Sequence, residues 1–486
     1  AYQPFKITAD IQDLESTITA STVASGQDPV RLRALLRETL VPSAVGYFER
    51  ALGVKPAAPR AVIFPPSCAV AGENPCAAAA ATTPCGTATI PDSMLYGLGK
   101  QGTGVEGTDY VLFVTAQATA SCISSSGAST GTIAYASYCY RGNAAWLDRP
   151  IAGYVNFCPH MLSDEEAKWS KSLSTAIHEI AHALVFSSSL YPWFRDSDGN
   201  PRTTRSISSG SPPIVTYTPP PGSPASCTPY LVHEASNSTL QSVTARGLDV
   251  WLVVTPEVVA KAREHYGCST IVGMQLENEP TSSCSVGRPA SHWDQRVAMA
   301  EFMTPVSQHD SSFSPLTLAL FKDSGWYSVN YTSGATIAMH WGKDAGCSFI
   351  DEKCLSLNAG TGLTTSPFPA HFCTAQGSRQ CTTERKFKGV CLVKTHDAAL
   401  PSAYQYFSNA AVGGWGLQAD FCPTVASYDN GDCRQPENYP TYNFGGETFG
   451  SNSRCFDSSF KQNVAGYRTT STPVTRCYPV RACDSA

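Results

Sequence analysis

The cysteine content of this chain constrains its fold more than any other feature, because 19 of its 486 residues are cysteine. They extend from Cys68 to Cys483 and lack the repeated CxxC pairs of structural zinc modules. Since so many thiols are rare in the reducing cytosol, they predict a disulfide-bonded protein of the secretory pathway. The odd total leaves at least one cysteine free or paired outside this chain.

The spacing of the cysteines predicts where the odd one lies. Nine occur up to Cys284, and ten occur from Cys347 onward. If each group pairs internally, the odd cysteine belongs to the first group, and the crowded Cys68, Cys76 and Cys85 are the candidates.

Charge and hydropathy exclude several classes of protein. The 34 basic and 39 acidic side chains give a net charge of −5 without a basic block, which excludes the electrostatic footprint of a nucleic-acid-binding protein. No apolar run approaches the roughly 20 residues of a transmembrane helix. The start at Ala1, with neither an initiator Met nor a signal peptide, predicts a processed chain. Asn237 and Asn330 stand in Asn-X-Ser/Thr sequons, which predicts N-glycosylation and an extracellular or cell-surface location.

Periodicity predicts a mixed α+β architecture. Apolar residues at intervals of three and four predict an amphipathic helix over 28–52. Ser163, followed by acidic residues, is typical of a helix N-cap and predicts a second helix that extends to about Ser187. Short runs of β-branched and aromatic residues between these helices predict strands at 60–64, 110–115, 132–138 and 152–157.

The later part of the chain has different signals. Residues 202–226 are rich in Thr, Ser, Gly and Pro, which predicts a surface insertion without packed structure. A short helix is predicted between Thr255 and Gly267. From about Asp310 onward, ten cysteines among Gly, Asn and Pro predict a disulfide-held, loop-rich domain.

The second helix carries the motif with the most chemistry, His178-Glu-Ile-Ala-His182. Residues four apart share one helix face, so both imidazoles can bind one metal ion with Glu179 beside it. Two imidazoles, a third ligand and a water on zinc make a hydrolytic site in which the carboxylate accepts a proton from the water. The motif also occurs by chance, and a histidine pair on a helix can instead be two hydrogen-bonded core residues.

A third ligand is absent from the residues that follow the motif. No Glu occurs within 183–233, and the two carboxylates there, Asp196 and Asp198, stand in a segment typical of a turn. The short pattern HExxHxxGxxH would need Gly at Val185 and His at Ser188. The remaining ligand must therefore come from further along the chain.

Three segments together resemble the leishmanolysin family of zinc metalloproteases, which belongs to the metzincins. The segments are His178-Glu-Ile-Ala-His-Ala-Leu-Val-Phe-Ser, Ala290-Ser-His-Trp-Asp-Gln-Arg and Glu301-Phe-Met-Thr-Pro, and further similarity covers nearly the whole chain. The resemblance implies that His178, His182 and His292 bind one catalytic zinc ion (Zn2+). It also implies that Glu179 is the general base and that Met303 forms a Met-turn beneath the metal.

The same resemblance implies the fold. We expect an α+β, metzincin-like catalytic domain, in which a mixed twisted sheet packs on the active-site helix, with a long insertion and a disulfide-rich, loop-rich C-terminal domain. The expected parts are a catalytic subdomain with the zinc helix (1–187), an insertion and central subdomain with the third His and the Met-turn (188–309), and a Cys-rich domain (310–486). The strand at 132–139 precedes the zinc helix, where metzincins place an edge strand; it can pair with an extended peptide or be an ordinary sheet strand.

Two functions are compatible with these residues. The first is a secreted or cell-surface zinc endopeptidase that acts on extended peptide or protein substrates. The alternative is a catalytically inactive surface or adhesion glycoprotein that retains the protease fold. The complete set of three histidines and Glu179 favours the first function. Val185 is the one hint for the second, because the family usually has Gly there and a β-branched residue tolerates a sharp helix exit badly.

Overall fold

The structure is a computed structural model, and it describes residues 2–56, 61–69, 78–165, 168–221, 223–278, 284–308, 311–332, 336–438, 446–458 and 474–480. The α-helices in these ranges are α1 Leu14–Thr17, α2 Pro29–Ala34, α3 Val41–Ala51, α4 Trp169–Leu184, α5 Pro256–Tyr266, α6 Gln295–Ala298, α7 Pro315–Asp323 and α8 Cys347–Asp351. None of these helices is both long and apolar enough to cross a lipid bilayer.

The strands divide into those of the principal sheets and hairpins and a set of very short ones. The principal strands are β1 Ile7–Ile11, β2 Tyr110–Thr115, β3 Ala134–Arg141, β4 Pro150–Phe157, β5 Ile214–Tyr217, β6 Tyr230–His233, β7 Leu240–Ala245, β8 Leu248–Val253, β9 Met274–Gln275, β10 Arg379–Cys381, β11 Phe387–Cys391, β12 Val425–Asp432, β13 Ser453–Ser458 and β14 Val474–Pro479. The short strands are Gln3–Pro4, Leu52–Val54, Ala61–Val62, Thr83–Cys85, Ala88–Ile90, Tyr96–Gly97, Lys100–Gln101, Val105–Glu106, Tyr327–Val329, Ser356–Leu357, Thr364–Thr365, Lys394–Thr395 and Val412–Gly413.

The main sheet has the strand order β3-β4-β2-β1. Strand β2 is parallel to both of its neighbours, whereas β3 is antiparallel to β4 and forms one edge. All six residues of β2 are buried, because alternate side chains enter two different cores. Tyr110, Leu112 and Val114 join the large core that includes the helices, and Val111 and Phe113 join a second cluster on the other face. The apolar run at 110–115 is thereby confirmed as a strand.

The predicted N-terminal helix is confirmed, with one irregularity. Asp28 caps it by accepting a hydrogen bond from the Val30 N–H, and Pro29 occupies the first position, where a missing N–H costs nothing. Helices α2 and α3 are joined by a π-helical segment, Leu35–Leu40, so the helical path runs on to Ala51.

Helix α4 begins at Trp169, six residues after the predicted N-cap Ser163. The Ser163 hydroxyl instead accepts a hydrogen bond from the Glu165 N–H in a local turn. The helix packs closely on the sheet because Gly153 of β4 has no side chain: a Cβ there would overlap the Tyr110 hydroxyl and lie 3.0 Å from the Ala183 Cβ. The Tyr110 hydroxyl also donates to the Ala183 carbonyl. These contacts hold the His178–His182 segment against the sheet.

The Pro-rich insertion contains more structure than its composition predicts. Strand β5, within 202–226, pairs antiparallel with β6 to form a hairpin, so the expectation of an unpacked loop is wrong for this segment. The prediction for α5 is confirmed: Pro256 occupies its first turn, and Gly267 ends it at a φ of 65°, in the left-handed region that favours glycine.

Eight disulfides are complete within the described residues: Cys85–Cys139, Cys122–Cys158, Cys227–Cys284, Cys268–Cys347, Cys354–Cys422, Cys373–Cys391, Cys381–Cys455 and Cys433–Cys477. The Cys268–Cys347 bond joins the two sequence groups, so the condition under which the odd cysteine would belong to the first group is not met. Of the candidates for the odd cysteine, Cys85 and Cys68 are both disulfide-bonded. Cys76 and Cys483 lie outside the described residues.

The Cys268–Cys347 disulfide is expected to stabilise the protein more than a short-range one. It spans 79 residues, whereas Cys373–Cys391 spans 18, and longer loops lose more entropy in the unfolded chain. Replacing Cys268 and Cys347 together by Ser should lower the free energy of unfolding by about 2–4 kcal/mol in urea titrations. The matched Cys373→Ser/Cys391→Ser variant should lose less. An equal or larger loss for the short loop would contradict the expectation.

Candidate metal centre

Three histidines meet at one point beside the main sheet. His178 and His182 lie one turn apart on α4, and His292 comes from the segment just before α6. The separations between their Nε2 atoms are 3.0 Å for His178 and His182, 3.0 Å for His182 and His292, and 3.2 Å for His178 and His292. Among the described residues, these three histidines form the group whose ligand atoms lie close enough together to hold one metal ion. The three residues that the sequence predicted as ligands are therefore brought together.

The outer nitrogen of each imidazole has its own acceptor. His178 Nδ1 lies 2.6 Å from the Phe302 carbonyl oxygen, and His182 Nδ1 lies 2.7 Å from the Phe186 carbonyl oxygen. His292 Nδ1 lies 2.6 Å from Glu277 Oε1. Carbonyl and carboxylate oxygens can only accept, so each Nδ1 is the protonated nitrogen.

This assignment leaves the inner nitrogens free to bind a metal ion. In a neutral imidazole with its proton on Nδ1, Nε2 carries a lone pair, and the three Nε2 atoms converge. Burial, followed by the charge of His292, lowers the pKa of His178 to about 3. Burial likewise lowers the pKa of His182 well below its usual value. His178 and His182 therefore stay neutral, and a cation bound by all three imidazoles would relieve the repulsion among their lone pairs.

The geometry of the donors fits zinc. Tetrahedral zinc has Zn–N bonds of about 2.0–2.1 Å, which places its nitrogen ligands about 3.3 Å apart. The observed Nε2 separations of 3.0–3.2 Å are close to that value. An all-nitrogen donor set of neutral imidazoles also disfavours magnesium and calcium, which prefer oxygen ligands. The residues present thus fit the cofactor that the sequence predicted.

Glu179 follows the first histidine and lines the cleft in front of the triad. Its side chain is buried, and in the described part of the chain no hydrogen bond or ion pair satisfies its carboxylate. Burial raises its pKa to about 8. A divalent cation held by the neighbouring imidazoles would favour the ionised carboxylate and oppose this effect.

Met303 lies in the segment that supports two of the histidines. It is fully buried, and its carbonyl oxygen accepts a hydrogen bond from the Trp293 N–H, next to His292. The preceding residue, Phe302, provides the acceptor for His178. The backbone of the predicted Met-turn segment therefore contacts His178 on α4 and Trp293, the residue after His292.

A cleft of about 810 Å³ runs past the triad, between β3 on one side and residues 304–307 on the other. Strand β3 is the edge of its sheet. The Cys158 N–H donates to the Ile133 carbonyl, so by the antiparallel alternation Ala134 and Ala136 direct their N–H and C=O groups to the open side. Among the described residues, only Lys171 and Glu179 bring charge into the lining besides the histidines.

The helix exit at Val185 is not distorted by its β-branched side chain. Val185 has a φ of −154°, and both its N–H and that of Phe186 donate to the Ala181 carbonyl. A position with negative φ does not require glycine. The chain leaves α4 in a conformation that brings the Phe186 carbonyl to His182 Nδ1.

Sequence reasoning did not identify three groups that orient the histidines: the Phe186 and Phe302 carbonyls and the Glu277 carboxylate. Backbone oxygens leave no signal in residue identity. Glu277 lies 15 residues before its partner in a short strand-and-loop segment without periodicity, so it had no local signal either. A carboxylate partner for a ligating histidine is a general feature that a directed search of the acidic residues could test.

The acceptor asparagines of both sequons are exposed in the structure. Asn237 lies near the start of β7, and Asn330 follows the short strand Tyr327–Val329. The Asn330 carboxamide oxygen accepts hydrogen bonds from the N–H and hydroxyl of Thr332. Glycosylation of both remains a prediction.

Comparison with known proteins agrees with the geometry. The leishmanolysin family model matches residues 76–198 and 231–486, and the interruption includes the Pro-rich insertion. The leishmanolysin-like peptidase of Drosophila pseudoobscura pseudoobscura is 32% identical over 480 residues, which cover 87% of this chain and 66% of that protein. The leishmanolysin-like peptidase of Caenorhabditis elegans is 31% identical, and the aligned region covers 86% of this chain and 68% of that protein. The leishmanolysin of Leishmania donovani is 32% identical over 250 residues, 51% of this chain and 40% of that protein.

The chain thus spans 66% of the length of the Drosophila relative and 68% of the length of the Caenorhabditis elegans relative. The family model matches both helical histidines and the segment with His292, on the two sides of the interruption. With the match covering well over half of the residues, the chain belongs to the leishmanolysin family of M8 peptidases.

Proposed function

We propose that this protein is a zinc-dependent endopeptidase that hydrolyses internal peptide bonds of extended protein substrates. The observation that carries the proposal is the convergence of three histidine Nε2 atoms within 3.2 Å, while each Nδ1 is hydrogen-bonded to its own acceptor. His178, His182 and His292 are the proposed ligands. Family membership supports the same function.

Three protein ligands leave one tetrahedral position for substrate or water, as in catalytic zinc sites. Zinc bound there would supply Lewis acidity to the scissile carbonyl and lower the pKa of a water molecule to about 7. Glu179 accepts a proton from the attacking water and then delivers it to the leaving amine. Its burial in the cleft wall, with no competing partner among the described residues, leaves its carboxylate available for this transfer.

The open edge of β3 is the proposed substrate-binding strand. A peptide that adds to this edge can hydrogen-bond to the outward N–H and C=O groups of Ala134 and Ala136. Main-chain hydrogen bonds hold the substrate extended and place one of its carbonyls near the triad. Because the cleft continues along β3 past the histidines, it can accept residues on both sides of the scissile bond, which favours endopeptidase over exopeptidase activity.

The inactive-glycoprotein alternative now lacks its one supporting feature. Val185 was that feature, and its negative φ leaves the helix exit compatible with a working triad. We therefore argue only for the protease.

Mass spectrometry of casein digested by the zinc-loaded protein tests the proposal. We expect internal cleavages with several residues on each side, and their loss on addition of a chelator. Intact casein, or release of single terminal residues only, would contradict it.

Location and organisation complete the proposal. Eight disulfides favour an oxidising compartment, so we place the protein outside the cell or at its surface. We retain the division into 1–187, 188–309 and 310–486, with Cys268–Cys347 joining the second part to the third. Met303 is proposed as the apolar floor beneath the metal.

The Glu277→Gln variant is expected to weaken zinc binding by about 10–100-fold. The amide accepts a weaker hydrogen bond from His292 Nδ1, so the imidazole loses basicity and orientation. Competition with a chromophoric chelator measures the change in the dissociation constant. Glu384→Gln is a matched control, because Glu384 Oε2 also lies 2.6 Å from a histidine Nδ1, that of His340, outside the metal centre. Equal zinc affinity in both variants and the wild type would contradict the role of Glu277.

A further inference from the structure

A second cavity, of about 430 Å³, adjoins the cleft at the far end of β3. Tyr138, Arg141, Trp193, His233 and Arg288 are among its lining residues, and we refer to it as the basic pocket. Its described lining contains two arginines and no acidic side chain. We infer that the basic pocket binds an acidic side chain of the substrate on the N-terminal side of the cleaved bond. This inference rests on the proposed function.

The basic pocket is continuous with the cleft. In three chain segments, one of two consecutive residues lines the cleft and the other lines the pocket. These segments are 137–138 on β3, 187–188 after α4, and 290–291 just before the third histidine. The Ser188 N–H also donates to the Ser291 hydroxyl, which joins two of these segments. A peptide lying along β3 therefore reaches the pocket without leaving the strand.

The two arginines of the pocket lack a carboxylate partner. In the part of the chain that the structure describes, no acidic oxygen lies within 4.0 Å of Arg141 or Arg288. The nearby Asp148 is taken by Arg195 at 2.7 Å and Arg205 at 3.3 Å. Asp148 attracts Arg141 from beyond contact distance, but no carboxylate of the described residues forms an ion pair with either pocket arginine.

Arg141 is held in an orientation suited to a carboxylate. Its guanidinium carbon lies 3.2 Å from the centre of the Trp193 ring, over the ring face and within cation–π distance. This contact limits the movement of the guanidinium, whose N–H donors match the two oxygens of a carboxylate. Partial burial lowers the pKa of Arg141, and the Tyr138 side chain and the charge of Asp148 oppose this effect.

Arg288 is also positioned by its surroundings. The Cys227–Cys284 disulfide ties its segment to the β5–β6 hairpin, which forms the outer wall of the pocket. The Trp251 indole N–H donates to the Gly287 carbonyl, directly before Arg288. A preformed, basic pocket loses less entropy on binding than a mobile arginine would.

The direction in which the peptide lies along β3 determines on which side of the cleaved bond its acidic residue falls. An added strand pairs most often antiparallel, so its N-terminal end lies at the C-terminal end of β3. Tyr138 and Arg141 stand at that end, whereas the cleft uses residues 130–137. The acidic side chain therefore precedes the cleaved bond by a few residues.

Paired fluorogenic peptides test the inference. The two peptides of a pair differ only in having Glu or Gln at one position. Different pairs place this position at each of the five residues on either side of the cleaved bond. We expect kcat/KM to favour Glu by roughly fivefold or more at one position on the N-terminal side, the effect of one partly exposed charged contact. In Arg288→Gln, the ratio of kcat/KM for the Glu peptide to that for the Gln peptide should fall towards one. In Arg288→Glu, kcat/KM should be higher for a peptide with Lys at that position than for one with Gln. Arg379→Gln, which removes an exposed charge from the C-terminal domain, should leave the ratio unchanged.

Binding measurements separate this inference from the proposed function. Fluorescence anisotropy of the same labelled peptides with Glu179→Gln reports affinity without turnover. The Glu peptide should bind roughly fivefold more tightly, and adding Arg288→Gln should remove the difference. If no peptide is cleaved but this difference persists, the proposed function fails and the pocket stands. A Glu/Gln ratio of one in both assays, or a preference on the C-terminal side only, would overturn the inference.

Discussion

Glu179→Gln is expected to reduce kcat/KM for peptide hydrolysis by about 10²–10⁴-fold, the usual contribution of a positioned general base. The amide is nearly isosteric with the carboxylate but cannot accept a proton from water. Because Glu179 is buried without a hydrogen-bond partner among the described residues, the change removes an ionisable group without breaking a hydrogen bond and should not destabilise the protein. Zinc content by mass spectrometry should remain at one ion per chain.

The matched control is Glu264→Gln on α5. Its carboxylate is exposed and, among the described residues, forms an ion pair only with Lys261, at 2.7 Å, so activity should stay at the wild-type value. Turnover by Glu179→Gln within a few-fold of wild type, in a protein that retains zinc, would show that another group accepts the proton.

The second large effect is expected for His292→Ala, which should lose zinc at concentrations that saturate the wild type. Removing one of three neutral imidazoles leaves an incomplete donor set on α4. It also leaves the Glu277 carboxylate buried without its 2.6 Å partner, which costs about 1–3 kcal/mol of stability. His292→Ala/Glu277→Gln removes that penalty and should still fail to bind zinc.

His340→Ala is the matched control for this effect. It too separates a histidine from a glutamate 2.6 Å away, Glu384, but outside the metal centre. Zinc retention should be complete in this variant, whatever its stability in urea. Zinc retention and full activity in His292→Ala would exclude His292 as the third ligand.

The parts of the fold that the sequence predicted are those governed by local pattern. The apolar run 110–115 belongs to a strand buried on both faces, and Asp28 with Pro29 marks a helix start. The helix with His178 and His182 was predicted from an N-cap signal at Ser163, and only its start was wrong, because Ser163 caps a local turn instead. Local signals of this kind depend on neighbouring residues and are readable one segment at a time.

The features that could not be predicted depend on contacts between distant segments. His292 was identified only through resemblance to a family, since nothing in the residues between it and α4 indicates its approach. The Cys268–Cys347 bond and the pairing of β5 with β6 likewise depend on tertiary packing. The Phe186 and Phe302 carbonyls, which orient two histidines, are backbone atoms whose positions no residue type encodes.

The central claim is that the three histidines hold one zinc ion on which peptide hydrolysis depends. The most direct test is the initial rate of peptide cleavage as zinc is returned stepwise to the metal-free protein. We predict no cleavage without zinc, a linear rise, and a plateau at one equivalent per chain. Cleavage by the metal-free protein, or none at one equivalent of bound zinc, would contradict the claim.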